Sequence, residues 1–174
     1  FEVKKIPNGY LYHKSKLGEF YLGSDAITHS YRNQKRKYWL IKQIPEEVAE
    51  LYNAGSTIGA FILFPNKKID NKFTINQARG VINLIDDRFD LTLECIRLFY
   101  LNLNSPLYET LKRYKAFFDL FQTFEFYVNF FFLNDLLNEN GKIKFYLSFD
   151  NFKTNPEFTS IEDYINYKDN VMRF

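Results

Sequence analysis

The chain has 174 residues and a formal net charge of +2 at pH 7, too small to indicate a polyanionic partner by itself. Its one cysteine, Cys95, excludes an internal disulfide, and one cysteine with two histidines excludes a Cys/His zinc site. Aromatic residues make up 20% of the chain, so we expect a core in which rings pack on rings.

The cysteine usage favours a reducing compartment, and we expect a cytoplasmic protein. Abundant Asn and Lys are typical of AT-rich genomes, so a bacterial source is expected. We expect a single globular domain over residues 1–174, because the length suits one core. The chain begins at Phe1 within a strand-like stretch, which predicts that further residues precede it.

The first half of the chain is predicted to supply the sheet and one helix. Residues 1–42 indicate short strands, with a hairpin turn at Leu17-Gly18. Pro45 is placed to begin a helix that ends at Gly55. The apolar run Ile58–Phe64 predicts a central strand.

The second half is predicted to be mainly helical. Capping boxes at Thr74 and Thr159 each begin a helix. Ile143–Phe149 predicts another strand. Three longer helices are expected, over residues 87–101, 106–121 and 124–137, with the first and last of these at the centre of the fold.

These elements predict an α+β fold in which a small mixed or antiparallel sheet packs against four to five helices. Helices dominate the C-terminal half. The apolar run Phe124–Leu133 is about half the length needed to cross a bilayer, so no contact with a membrane is expected.

Four motifs carry a resemblance to a known family. They are Asp87–Arg97 (DRFDLTLECIR), Ser105–Leu107 (SPL), Thr110–Tyr114 (TLKRY) and Phe117–Phe121 (FFDLF). The chain resembles a family of uncharacterised bacterial proteins, a domain of unknown function, over residues 57–153, with weaker similarity over residues 11–30. The resemblance implies no activity, cofactor or catalytic residue.

The helix that begins near Asp87 carries charges on an otherwise apolar surface. Asp90, Glu94 and Arg97 share one face with Asp87, while apolar side chains cover most of the rest. Such a helix is expected to be surrounded by protein, so its charges need partners. Arg88 in particular needs a carboxylate, carbonyl groups or a bound anion.

Two interpretations of these arginines stay open. In the first, Asp90, Glu94 and Arg97 form an internal ion-pair network, and Arg88 pairs with Asp87 or with a distant acid. In the second, four residues from neighbouring segments bind a phosphate or nucleotide: Asn76, Arg79, Arg88 and Arg97.

A second candidate site is a basic run followed by aromatic residues. Its members are Arg32, Lys35, Arg36, Lys37, Tyr38 and Trp39. Cations attract a nucleic-acid backbone, and the rings can stack on unpaired bases. The alternative is a solvated loop with no ligand.

These features leave three functional hypotheses. The first is a nucleic-acid- or nucleotide-binding protein with an arginine-lined anion pocket. The second is a protein-interaction module of a bacterial defence or toxin–antitoxin system, which predicts an exposed apolar patch. The third is a small-molecule enzyme of unrecognised type, which predicts a deep pocket with a perturbed acid or histidine. No phosphate loop, dinucleotide fingerprint or metal motif occurs, and the cofactor stays unknown.

Overall fold

The computed structural model describes residues 3–5, 11–16, 18–27, 42–55, 60–156 and 158–173. Four strands form one antiparallel sheet in chain order: β1 Val3–Lys5, β2 Leu11–Ser15, β3 Gly18–Ala26 and β4 Phe61–Pro65. Strands β2 and β3 pair from Ser15↔Gly18 to Leu11↔Leu22. The predicted hairpin is therefore confirmed, and the sheet is antiparallel rather than mixed.

Seven α-helices occur within the described ranges: α1 Pro45–Gly55, α2 Ile75–Val81, α3 Phe89–Tyr100, α4 Tyr108–Arg113, α5 Lys115–Phe118, α6 Phe124–Phe130 and α7 Ile161–Met172. The predicted α+β class and the helical C-terminal half are confirmed. The capping box at Thr74 is present. The second box begins one residue later than predicted, with Ser160 as the cap and Asp163 as its partner.

Seven helices are described against the predicted four to five, and one of the additions arises because the predicted helix over residues 106–121 is broken. It forms α4 and α5, which meet at Tyr114. Phe117 and Phe118 are adjacent and both fully buried, so more than one side of the chain after Tyr114 packs against protein. The Tyr114 hydroxyl donates to the carbonyl of Lys67 at 3.0 Å and anchors the break.

The prediction of a strand over Ile143–Phe149 is wrong. Only an isolated bridge between Leu137 and Ile143 is present in this part of the described chain. The backbone N–H of Tyr146 donates to the Asp90 carboxylate at 2.9 Å rather than to a neighbouring strand. The rings of Phe145 and Phe149 stack at 4.1 Å between centroids, a contact that an extended strand would not allow.

Helix α3 lies at the centre of the fold, as predicted. Its residues Phe89–Ile96 are all buried. Helix α6 was also expected to be central, but there only Tyr127 and Val128 are buried. It ends seven residues earlier than predicted, and much of its surface faces solvent.

The core between α3, α5 and α6 consists of aromatic rings, as the composition predicted. Tyr100 and Phe118 pack against Tyr127, with centroids 6.4 and 5.9 Å from its ring. Phe121 meets the same ring edge-on at 5.3 Å. No helix among the described residues is long and apolar enough to cross a membrane.

Candidate functional site

Arg79 is fully buried on α2, and its guanidinium group binds two other elements and a loop. Its Nε donates to the Thr92 hydroxyl of α3 at 3.1 Å. Its Nη1 donates to the Asp25 carboxylate at 2.7 Å and to the Ala26 carbonyl at 3.3 Å, both on β3. Its Nη2 donates to the carbonyl of Asp87 at 2.9 Å. One side chain therefore holds the sheet, α2 and α3 together.

The loop that connects α2 to α3 wraps around Arg79. The backbone N–H of Asp87 donates to the Arg79 carbonyl at 3.0 Å, and the Asp87 carboxylate lies 3.5 Å from Nη1. Asp86 and Asp87 both have left-handed backbone angles, with φ of 46° and 62°. Aspartate adopts this conformation more readily than most residues other than glycine, but mainly at single positions rather than at two in succession. The contacts with Arg79 therefore stabilise a loop conformation that the backbone by itself disfavours.

Asp25 reaches Arg79 because of its register in the sheet. It pairs with Ile62 of β4, so the two side chains lie on the same face, where Ile62 is buried. Burial raises the pKa of the Asp25 carboxyl, the nearby Asp87 raises it further, and Arg79 offsets this in part.

The charge of Arg79 is stabilised by these same acids. Burial by itself lowers the pKa of the Arg79 guanidinium, but the carboxylates of Asp87 and Asp25 outweigh this effect and raise it. The cluster is thus a buried cation shared between two acids.

The other two candidate arginines are each paired with an acid of α3. Arg88 binds the Asp90 carboxylate through Nε and Nη2, and Asp90 also accepts the backbone N–H of Tyr146. Arg97 binds Glu94 through Nε and Nη2, both at 2.7 Å. Both are two-point contacts, the geometry in which a guanidinium binds a carboxylate most strongly.

The structure brings together only part of the predicted anion cluster. Thr92 links Arg79 to Arg88, because its hydroxyl accepts from the first and donates to the carbonyl of the second. Arg97 lies nine residues further along the chain, about 13 Å along a helix axis. Asn76 joins neither group, and its buried amide oxygen has no hydrogen-bond partner among the described residues. Arg97 thus pairs with Glu94, as the first interpretation expected, whereas Arg88 pairs with Asp90 rather than with Asp87 or a distant acid. The anion site stays a prediction.

The basic run Arg32–Trp39 lies outside the described residues. The predicted contact of this run with nucleic acid therefore also stays a prediction.

A further candidate site, which the sequence did not predict, lies on the outer side of α6. We name it the aromatic face and define it by seven residues: Leu120, Phe121, Gln122, Phe126, Asn129, Phe130 and Phe132. All except Phe132 line a groove of about 490 Å³. Phe126, Phe130 and Phe132 are 62%, 41% and 89% exposed, which is unusual for three large apolar side chains within seven residues.

The backbone at Phe132 makes its exposure more unusual. The N–H of Leu133 donates to the Val128 carbonyl at 2.9 Å, and the N–H of Phe132 donates to the Asn129 carbonyl at 3.3 Å. This bonding pattern is the Schellman motif, whose left-handed position is normally glycine. Here that position is Phe132, with φ of 56°. A bulky aromatic residue thus occupies a glycine position while making few contacts of its own.

Sequence reasoning missed Asp25 and Phe132 as site residues. Asp25 is 54 residues from Arg79, and nothing local to either residue indicates the pairing. For Phe132 a usable signal existed. The aromatic run Phe130–Phe132 cannot be buried on every side of one short helix.

The comparisons with known proteins give a family and no activity. A model described as a family of unknown function, DUF6994, matches residues 1–174. This match extends beyond residues 57–153, over which the resemblance was seen. No curated protein and no solved structure matches the chain. The chain therefore belongs to the DUF6994 family, whose function is unknown.

Proposed function

We propose that this chain is a protein-interaction module whose binding surface is the aromatic face. The observation that carries the proposal is Phe132, which is 89% exposed in a left-handed position that favours glycine. A residue other than glycine in this region costs about 1–2 kcal/mol. Its few contacts do not offset that cost, so a role in binding accounts for the side chain better than a role in stability.

The groove beside Phe132 supports the same proposal. Its apolar members Phe126 and Phe130 are partly exposed, and its polar members Gln122 and Asn129 carry amide groups. Aromatic anchors next to a few hydrogen-bonding groups are typical of interface centres. A partner that covered the face would remove the rings from water.

Photo-crosslinking in the cells that make the protein tests the proposal. A photoreactive phenylalanine analogue is placed at residue 132 in one variant and at residue 61 in a matched control. Phe61 is also a partly exposed phenylalanine, at 46%, but lies on β4. We expect covalent adducts with a protein, identified by mass spectrometry, at residue 132 and not at residue 61. Equal adducts at both positions, or none at residue 132, would refute the interaction module.

The effect of Phe132 on stability distinguishes a role in binding from a role in folding. Phe132→Gly relieves the left-handed backbone, so we expect a rise of about 1 kcal/mol in the free energy of unfolding. Urea denaturation followed by circular dichroism measures it. A large loss of stability would mean that Phe132 serves the fold, and the argument for binding would fail.

The nucleic-acid hypothesis is kept as a second proposal, on the basic run alone. Four cations within six residues, Arg32, Lys35, Arg36 and Lys37, support it. Fluorescence anisotropy with single-stranded oligonucleotides tests it, with the Lys35→Ala/Arg36→Ala variant against the wild type. Binding that is absent, or that does not weaken as salt is raised, would eliminate this proposal.

For the arginines, the two-point pairs with protein acids favour the ion-pair interpretation over a phosphate or nucleotide site.

We also propose a cytoplasmic location, which the single, buried Cys95, a free thiol, supports. Neither of these proposals explains the aromatic face.

A further inference from the structure

We infer that the partner of the aromatic face is a second copy of this chain, related to the first by a two-fold axis. This inference rests on the proposed function and names its partner. In a two-fold contact the same patch meets itself, so a suitable patch must contain both a projecting part and a part that receives it. The shape, charge and area of the face each bear on such a contact.

The first property is shape. Phe132 projects into solvent two residues after Phe130, the last residue of α6 and part of the groove wall. A projecting ring and a groove of about 490 Å³ thus occur on one patch. Two copies in a two-fold arrangement can therefore place each Phe132 ring in the groove of the other copy.

The second property is charge. A two-fold contact brings groups near the axis against their own copies, so a charged lining would repel itself. Among the described residues that line the groove, none is charged. The polar members, Gln122 and Asn129, each carry an amide that both donates and accepts. Such groups can hydrogen-bond to their own symmetry copies, which a lysine or a glutamate cannot do.

The third property is area. An aromatic side chain buries about 150–250 Å², so the exposed fractions of Phe126, Phe130 and Phe132 leave roughly 400 Å² of ring surface in water. A standard interface buries about 800 Å² on each partner. The three rings supply about half of that area, and the remaining groove wall adds to it. Because this area is below that of a standard interface, we expect a weak dimer.

Sedimentation velocity over a range of protein concentrations tests the inference. We expect the weight-average mass of the wild type to rise toward that of a dimer as concentration increases. Phe132→Gly removes the projecting ring and is expected to weaken association at least tenfold. Because the association is apolar, raising the salt concentration should not weaken it.

The matched control is Asn102→Gly. Asn102 occupies the same left-handed position in a second Schellman motif, at the end of α3, with φ of 56°. Its replacement makes an equivalent backbone change in a segment that contributes no residue to the aromatic face, so dimerisation should be unchanged. Loss of the dimer in this control as well would overturn the inference, as would a Phe132→Gly variant that dimerises like the wild type.

The failure of this inference can be distinguished from failure of the proposed function. A wild type that stays monomeric at every concentration overturns the second copy as partner. If crosslinks at residue 132 then identify a different protein, the interaction module stands with another partner. If no crosslink forms either, both proposals fall.

Discussion

Replacing Arg79 by lysine keeps the positive charge but removes the planar guanidinium group. In the wild type this group makes four hydrogen bonds, to Asp25, Ala26, Asp87 and Thr92. A lysine ammonium is a compact donor that cannot span these partners at once. Arg79→Lys therefore tests whether the geometry of the guanidinium, rather than its charge, stabilises the junction of β3, α2 and α3.

The magnitude follows from the groups left without a donor. We expect lysine to keep one contact, with the Asp25 carboxylate. The Thr92 oxygen and the Asp87 carbonyl are then buried without their donors, at about 1–3 kcal/mol each. With some relaxation, the loss in the free energy of unfolding should be about 2–5 kcal/mol.

Urea denaturation followed by far-UV circular dichroism measures this loss as a lower midpoint at an unchanged slope. The control is Arg97→Lys. The Arg97 side chain is partly exposed, and its partner is Glu94 of the same helix. A lysine at this partly exposed position can still reach Glu94, so the loss should be about 0–1 kcal/mol. Equal losses in the two variants would refute the reasoning, because they would show that burial and the number of bonds do not decide the cost.

Other consequences can be checked with the same protein. Asp163→Asn should cost about 1 kcal/mol at neutral pH, because the Asp163 carboxylate accepts from Thr159 and from the Ser160 N–H. Those hydrogen bonds lower the pKa of Asp163 below 3.8. The difference between variant and wild type in the free energy of unfolding, measured by urea titration, should therefore shrink as the pH falls below 3.8. A difference that does not change with pH would contradict the assignment. Burial raises the pKa of the Cys95 thiol to about 12, so a thiol reagent at pH 8 should label it only as fast as the protein unfolds. Labelling at the rate of a free thiol would exclude that burial. Tyr114→Phe removes the hydroxyl bond to Lys67 and should cost about 1 kcal/mol by urea denaturation; an unchanged midpoint would show that this bond does not anchor the break between α4 and α5.

The sequence was sufficient to predict the structure wherever the interactions that decide it join close neighbours along the chain. Pro45 begins α1 and Thr74 caps α2, because the residues that satisfy a helix terminus lie within one turn of it. The hairpin with its turn at Gly18 follows from alternation and turn chemistry in the same way. The central position of α3 was also predictable, since apolar residues cover nearly all of its surface.

The same local patterns failed where burial depends on distant elements. The aromatic run of α6 predicted a buried helix, but the side chains of Phe126 and Phe130 are 62% and 41% exposed. Hydrophobicity gives a side chain a reason to leave water and does not supply the surface that covers it. Likewise, Ile143–Phe149 has a strand composition, but no strand within the described residues continues the pairing beyond the bridge at Ile143.

The arginines show which contacts can be predicted from the sequence and which cannot. Arg97 pairs with Glu94 three residues away, and Arg88 pairs with Asp90 two residues away, so both pairs were within reach of sequence reasoning. The pairing of Arg79 with Asp25 was not, because it requires the register of β3 and β4 and the approach of α2 to the sheet. The sequence by itself determined that buried guanidinium groups need partners. Only the tertiary structure decided that acids of the chain itself fill that role, since a long-range ion pair exists only once the chain is folded.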